Sequence, residues 1–436
     1  MRRGARLATG AGAVVALSVG LLAVGAIGGS PAVGPTPAAS APATAPPGSP
    51  LDRAIAAAQA TLAQRPGDAA TWAALGISYV QKAKQSSDPS FYVKAEGAIA
   101  TSLRLDRTAN FLGYAGQAAL ENGRHDFRGA EASARRGIAI DDYNATLYGA
   151  LGDALTQLGR YDDAARAVDR MNVLKPGVPA FTRASYVFEL RGDVRNARVA
   201  LQRALHDATS PDDTAFVELY LGELELRYGG GAAAALEHYQ AGLDASPSDP
   251  TVRAGRAKAF AALGQTELAL QDYRAVVAAV PQPQFVLELA ELEQSLKDPD
   301  ARRQYDLFRT EQRLYRASGV ALDSEQTLFE ADHGNPATAL AYAAKGWAVR
   351  PFVEMADAYA WAEHVNHHDR AALVWSQRSF VSGWTPALHL FHRGMIEKAL
   401  GQRAAARTDL AKALREEPRF NPLQAPVARA ALAELS

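Results

Sequence analysis

Histidine is the residue whose spacing first suggests chemistry. His364, His367, His368, His389 and His392 lie close together in the chain, beside Glu363 and Asp369. Imidazoles at i, i+3 and i+4 share a helix face, so His364 with His367 or His368, and His389 with His392, are spaced to share a divalent cation. A zinc site needs three or four converging ligands, and the sequence offers only pairs. Residues of a solvated turn, or of a surface between helices, read the same way. The chain has no cysteine, which excludes a thiolate nucleophile, a cysteine-held metal and a disulfide scaffold. It also has no phosphate loop, no His-Glu-x-x-His and no Gly-x-Ser-x-Gly, so no catalytic motif is legible. The Gly229-Gly230-Gly231 run lies between helical segments and reads as a turn.

The elements that must position these residues are helical and repeat. From Tyr148 the spacing Leu151, Gly152, Leu155, Gly159, Tyr161, Ala164, Val168 and Met171 closes on Pro176. Small residues in such a pattern let two antiparallel helices approach, large apolar ones fill the gap to the next pair, and the proline stops the second helix. Arg253, Ala257, Phe260, Gly264, Ala269, Tyr273 and Pro281 fall at the same offsets, as do Leu390, Gly394, Gly401, Ala406, Leu410 and Pro418. Other copies turn at Gly123, Gly192, Gly229, Gly334 and His367, with Ala130, Ala197, Ala234, Ala339 and Ala372 expected against the partner helix. An opening copy carries Trp72, Leu75, Gly76 and Tyr79, and a degenerate one, residues 285–309, keeps Ala301 and Tyr305. The pattern resembles the tetratricopeptide repeat (TPR) family. The resemblance implies an all-α, right-handed superhelical solenoid of about ten helix-turn-helix repeats over residues 51–436, ending in a capping helix after Pro426.

By the same resemblance, the inner face of each first helix holds a peptide or protein segment. It directs Tyr186, Phe216, Trp361, Phe391 and Met395 toward a concave groove as apolar anchors, with Glu223, Arg227 and Asp357 among the charged positions beside them. Asp153, Glu189 and Lys258 fall on that face too. Aromatic residues at helical spacing also serve as packing between neighbouring helices, the alternative for each one. No Lys-x-x-x-Asn pair stands at the offsets with which some family members clamp a C-terminal carboxylate. The expected function is a non-catalytic interaction scaffold for an unidentified protein or peptide, with no cofactor; the alternative is an accessory protein holding a divalent metal through the histidine-rich stretch 364–392.

Charge distribution bears on where such a scaffold would act. No charged side chain occurs between Arg6 and Asp52. After Arg2, Arg3 and Arg6, the apolar run from Leu7 to Ile27 would reach about 31 Å as a helix, against about 30 Å of hydrocarbon. Residues 1–28 therefore read as a transmembrane anchor or a signal peptide, with small-x-small candidates at Ala23-Val24-Gly25 and Ala26-Ile27-Gly28. The flanking arginines orient the N-terminus to the cytoplasm and the body outward, as a single-pass cell-membrane protein or, after cleavage, a secreted one. Residues 29–50 are proline- and alanine-rich, a semi-rigid spacer. The whole chain carries a formal charge of −1, which gives no electrostatic footprint for a nucleic acid.

Overall fold

The computed structural model describes residues 49–228, 231–321 and 323–436. The anchor or signal reading of 1–28, and all but the last two positions of the 29–50 spacer, fall outside the described residues. Those residues form α-helices and no strand: α1 Pro50–Gln64, α2 Ala69–Ser86, α3 Ser90–Leu105, α4 Phe111–Gly123, α5 Phe127–Ile140, α6 Ala145–Gln157, α7 Tyr161–Leu174, α8 Val178–Leu190, α9 Val194–His206, α10 Pro211–Arg227 and α11 Gly231–Ala245. The second half continues with α12 Pro250–Leu263, α13 Thr266–Ala279, α14 Pro283–Ser295, α15 Ala301–Ala317, α16 Ser324–His333, α17 Pro336–Val349, α18 Val353–Val365, α19 Asp369–Arg378, α20 Ala387–Ala399, α21 Arg403–Glu416 and α22 Gln424–Leu435. From α2 to α21 the helices pair in sequence as hairpins, α2 with α3 through α20 with α21. Most first helices also touch the next first helix along the row, as α2 does α4 and α4 does α6.

Local chemistry explains the boundaries. Asn110, Asp126, Asn144, Asp193 and Asp249 accept hydrogen bonds from free N–H groups at the starts of α4, α5, α6, α9 and α12. Most of the tight turns inside hairpins use a residue in the left-handed region, and Gly159, Gly192, Gly264 and Gly401 supply it at φ from 70° to 78°. His125, Lys297 and His367 hold the same conformation at φ 60–64° without being glycine. Close approach within the hairpin is equally explicit at Gly222 of α10, where a Cβ would stand 2.5 Å from the Tyr239 ring of α11.

Ala130, Ala164, Ala197, Ala269, Ala339, Ala372 and Ala406 are all buried where the second helices meet their partners. One expectation is corrected. Ala235, not Ala234, is the fully buried alanine of α11, because α10 runs to Arg227 and α11 starts at Gly231, shifting that contact by one residue. The spacing also missed α1, which packs on α2 ahead of the first hairpin. At the other end Ala428, Ala431 and Leu435 of α22 join a core with Leu410, Phe391 and Trp361. Burying a leucine contributes about 1.5–3 kcal/mol and an alanine methyl about 0.8, so this cover stabilises an otherwise open terminal repeat.

The stack returns upon itself. The α6–α7 turn meets the loop before α18: the Val353 N–H donates to Tyr161 Oη at 3.1 Å and Arg350 Nε donates to Gln157, 192 and 193 residues apart. Ala321 N–H donates to the Arg124 carbonyl at 3.0 Å. Gln282 reaches the Lys84 carbonyl at 3.2 Å, and Trp384 Nε1 donates to Tyr228 Oη at 2.5 Å. The last loop repeats the theme, Asn421 donating to Glu291 at 2.8 Å. Hairpin turns of one coil of the solenoid therefore pack against inter-hairpin loops of the next.

Candidate functional site

The inner surface of the first helices carries a continuous polar ladder. Arg183 of α8 makes a paired contact with Asp153 of α6, Nε to Oδ1 at 2.9 Å and Nη2 to Oδ2 at 2.8 Å. Arg227 of α10 donates to Glu189 of α8 at 2.9 Å and to Glu223, one turn before it, at 2.7 Å. Glu223 also accepts from Lys258 of α12 at 3.0 Å and from Tyr239 Oη at 2.9 Å. Lys258 continues to Glu288 of α14 at 3.6 Å. The i, i+4 pair on α10 follows from helical geometry; the other rungs need consecutive first helices held side by side.

Removing ions from water is costly, so each charge here depends on its neighbours. Burial pushes the Glu223 carboxyl up, but Lys258 and Arg227 overcome that and hold it near 2. Lys258 is held above its ordinary value, burial opposing and Glu223 and Glu288 prevailing. Where cations are fewer, burial wins: the Glu291 and Asp332 carboxyls are pushed well above the usual carboxylate range. A cavity of about 60 Å³ opens among Asp153, Arg183, Tyr186, Glu189, Arg227 and Trp384. A second, of about 80 Å³, lies among Arg227, Lys258, Glu288 and Glu417.

The residues assigned to the groove lie in three environments. Tyr186, Glu223 and Arg227 line the first cavity. Phe216 is half-buried, edge-on to Tyr220 at 4.9 Å between ring centres. Asp357, Trp361 and Phe391 are each 1% exposed, with Met395 packed beside them in the core beneath α22. The depth of burial of these positions is not legible in the sequence, because nothing in a repeat unit reveals how one coil of the solenoid settles on the next.

The histidines do not form one site. His364 Nδ1 faces Asp369 at 2.6 Å, and the exposed His368 faces Glu363 at 2.8 Å. His367 occupies the strained turn. His389 and His392, both on α20, approach the same oxygen of Asp357, at 3.6 and 2.8 Å. Trp361 stacks on His392 at 4.3 Å and donates its indole N–H to Asp332 at 2.7 Å. Among the described residues no three His, Asp or Glu side chains form a group that could hold a metal ion. The five imidazoles named for a cation, His364, His367, His368, His389 and His392, are therefore not gathered into one group; they are divided between a turn and three separate carboxylate contacts. Burial drives His389 down to about 4, keeping it neutral near pH 7.

The architecture is a solenoid of TPR-like helical hairpins. No family model and no curated protein matches the chain. Among solved structures it is similar to a tetratricopeptide repeat protein from Parabacteroides merdae, at 20% identity over 58% of this chain and 97% of that one, with a TM-score of 0.35. The APC/C hetero-tetramer Cut9–Hcn1 is similar at 14% identity over 88% of this chain and 76% of that one, TM-score 0.48. PilW, a type IV pilus biogenesis factor, is similar at 17% identity over 50% and 96%, TM-score 0.38. With every one of these TM-scores below 0.5, the likenesses carry no argument about what this chain binds. Among the described residues no helix is long and apolar enough to cross a membrane.

Proposed function

We propose that this chain is a non-catalytic interaction scaffold, a right-handed TPR-like superhelix that takes a protein or peptide segment along its inner face. The observation that carries the reading is the ladder: five consecutive first helices, α6 to α14, contribute charged side chains of both signs to one inner surface bordered by cavities. The ladder charges pair with one another, so a bound segment would engage the cavities beside them, where Tyr186, Tyr220 and Trp384 give apolar surface. The N-terminal sequence supports presentation outside the cytoplasmic membrane, tethered by residues 1–28 or released after their removal.

A photoreactive amino acid replacing Tyr186, at the cavity, tests the inner face. Crosslinking of a discrete partner segment from position 186, and not from the outer-surface Arg166, is expected; crosslinks only from position 166 would move the site to the outside. Fractionation of cells tests the tether. A full-length, detergent-dependent protein is expected for an anchor and a shortened soluble protein for a signal, whereas a full-length soluble protein would reject both.

A further inference from the structure

A cleft of about 470 Å³ lies where the loop before α22 crosses the α12–α13 turn and the end of α14. Its volume is in the range of small-molecule sites. Two arginines, Arg419 and Arg429, line it together with the apolar surfaces of Leu292, Leu296, Pro422 and Pro426, and no Asp or Glu does. The contrast with the interior is chemical. There, Arg183 and Arg227 are consumed by carboxylates; here, neither arginine forms an ion pair among the described residues.

Both guanidinium groups are nevertheless positioned. Arg429 Nη1 donates to the Pro418 carbonyl at 2.9 Å. Arg419 Nη1 lies 3.4 Å from the Ala261 carbonyl, and its head rests on Gly264, where a Cβ would come within 2.8 Å of it. A guanidinium has five N–H donors, so these contacts leave most of them for a ligand. Both arginines are exposed, and guanidinium forks match the oxygens of a carboxylate or a phosphate. The two Leu and two Pro side chains supply the complement, a surface for a compact apolar body.

We propose that this cleft binds a small organic oxyanion, a carboxylate or phosphate monoester attached to a compact apolar group. Because Ala261 and Leu292 belong to one coil of the solenoid and Arg419 and Pro426 to the next, an occupant would bridge two coils. The cleft adjoins the second inner cavity, sharing Ala261, Leu292, Arg419, Asn421 and Pro422 with it, but opens beside the α12–α13 turn and needs no protein partner.

Calorimetric titration of the full chain with benzoate and with phenyl phosphate tests the proposal, with acetate, inorganic phosphate and benzyl alcohol as head-only and body-only probes. At least one aromatic anion is expected to bind saturably, one to one, and about tenfold or more tighter than every head-only or body-only probe. The tighter of the two names the head group. The double variant Arg419→Gln/Arg429→Gln is expected to lose about tenfold or more, while Arg415→Gln, on α21 outside the cleft, keeps the parent affinity. Leu296→Glu, a carboxylate added at an exposed position of the cleft wall, is expected to weaken binding while both arginines remain. Failure of both aromatic anions to saturate the parent would overturn the proposal. So would equal binding of acetate or inorganic phosphate, or a double variant that melts like the parent and binds like it.

Discussion

The strained and buried side chains give the sharpest single-residue expectations. His367 takes the left-handed turn conformation that glycine fills at Gly159, Gly192, Gly264 and Gly401. For an L-residue that conformation costs roughly 1–2 kcal/mol, so His367→Gly should stabilise the chain by about 1 kcal/mol in denaturant unfolding, less glycine's greater entropy when unfolded. His389 should govern the acid side. Its folded value, near 4, lies below the ordinary 6.5, so the unfolded chain takes up a proton that the folded chain refuses. This stability is present above pH 6.5, declines as the pH falls toward 4, and amounts to a few kcal/mol. Asp357 reinforces it: burial raises its carboxyl, but His389 and His392 prevail and hold it low, so its contribution also disappears in acid. Glu417 acts oppositely. Burial raises it to about 7, so its contribution is full below about pH 4.5 and is lost as the pH rises through 7. Unfolding measured against pH should therefore show His389→Gln flattening the acid limb, and Glu417→Gln stabilising at pH 8 more than at pH 4.5. The histidine spacing was visible in the sequence; the burial that lowers His389 and its contact with Asp357 were not, because Asp357 lies on a different helix.

Hairpin geometry was the most legible level. Glycine and alanine spacing located turns at Gly159, Gly192, Gly264, His367 and Gly401, while the α4–α5 turn falls on His125 rather than Gly123; among the described residues ten hairpins stand where about ten repeats were expected. The shift from Ala234 to Ala235 arises because α10 runs on to Arg227 before α11 begins at Gly231, a length that spacing alone does not fix. Two helical glycines separate the roles that one residue type can take. Gly222→Ala would drive a methyl into Tyr239 and should destabilise by about 1–3 kcal/mol. Gly97→Ala in α3 meets nothing within 4 Å and should stabilise by about 0.5–1 kcal/mol, from helix propensity. Thermal melts of the pair check the assignment; two losses of similar size would show that Gly97 is packed as tightly as Gly222.

At the scale of the molecule, the inner face is buried because successive coils touch. A repeat motif specifies contacts to its neighbours, whereas the pitch of the solenoid accumulates over many small rotations, so residues 192 positions apart cannot be paired by reading the chain. The closure combines polar contacts, among them Tyr161 with Val353 and Tyr228 with Trp384, with an apolar cluster of Leu190, Phe352, Val353 and Trp384. The most direct measurement is hydrogen exchange at the Val353 amide. It sits in the first turn of α18, where no partner within the helix exists, and its acceptor is Tyr161 Oη on the neighbouring coil. Closure predicts slow exchange at Val353 in the parent chain and selective acceleration in Tyr161→Phe, with the amides of the helix interior unchanged. Exchange at Val353 as fast as at other uncapped first-turn amides, and indifferent to Tyr161→Phe, would contradict a solenoid closed upon itself.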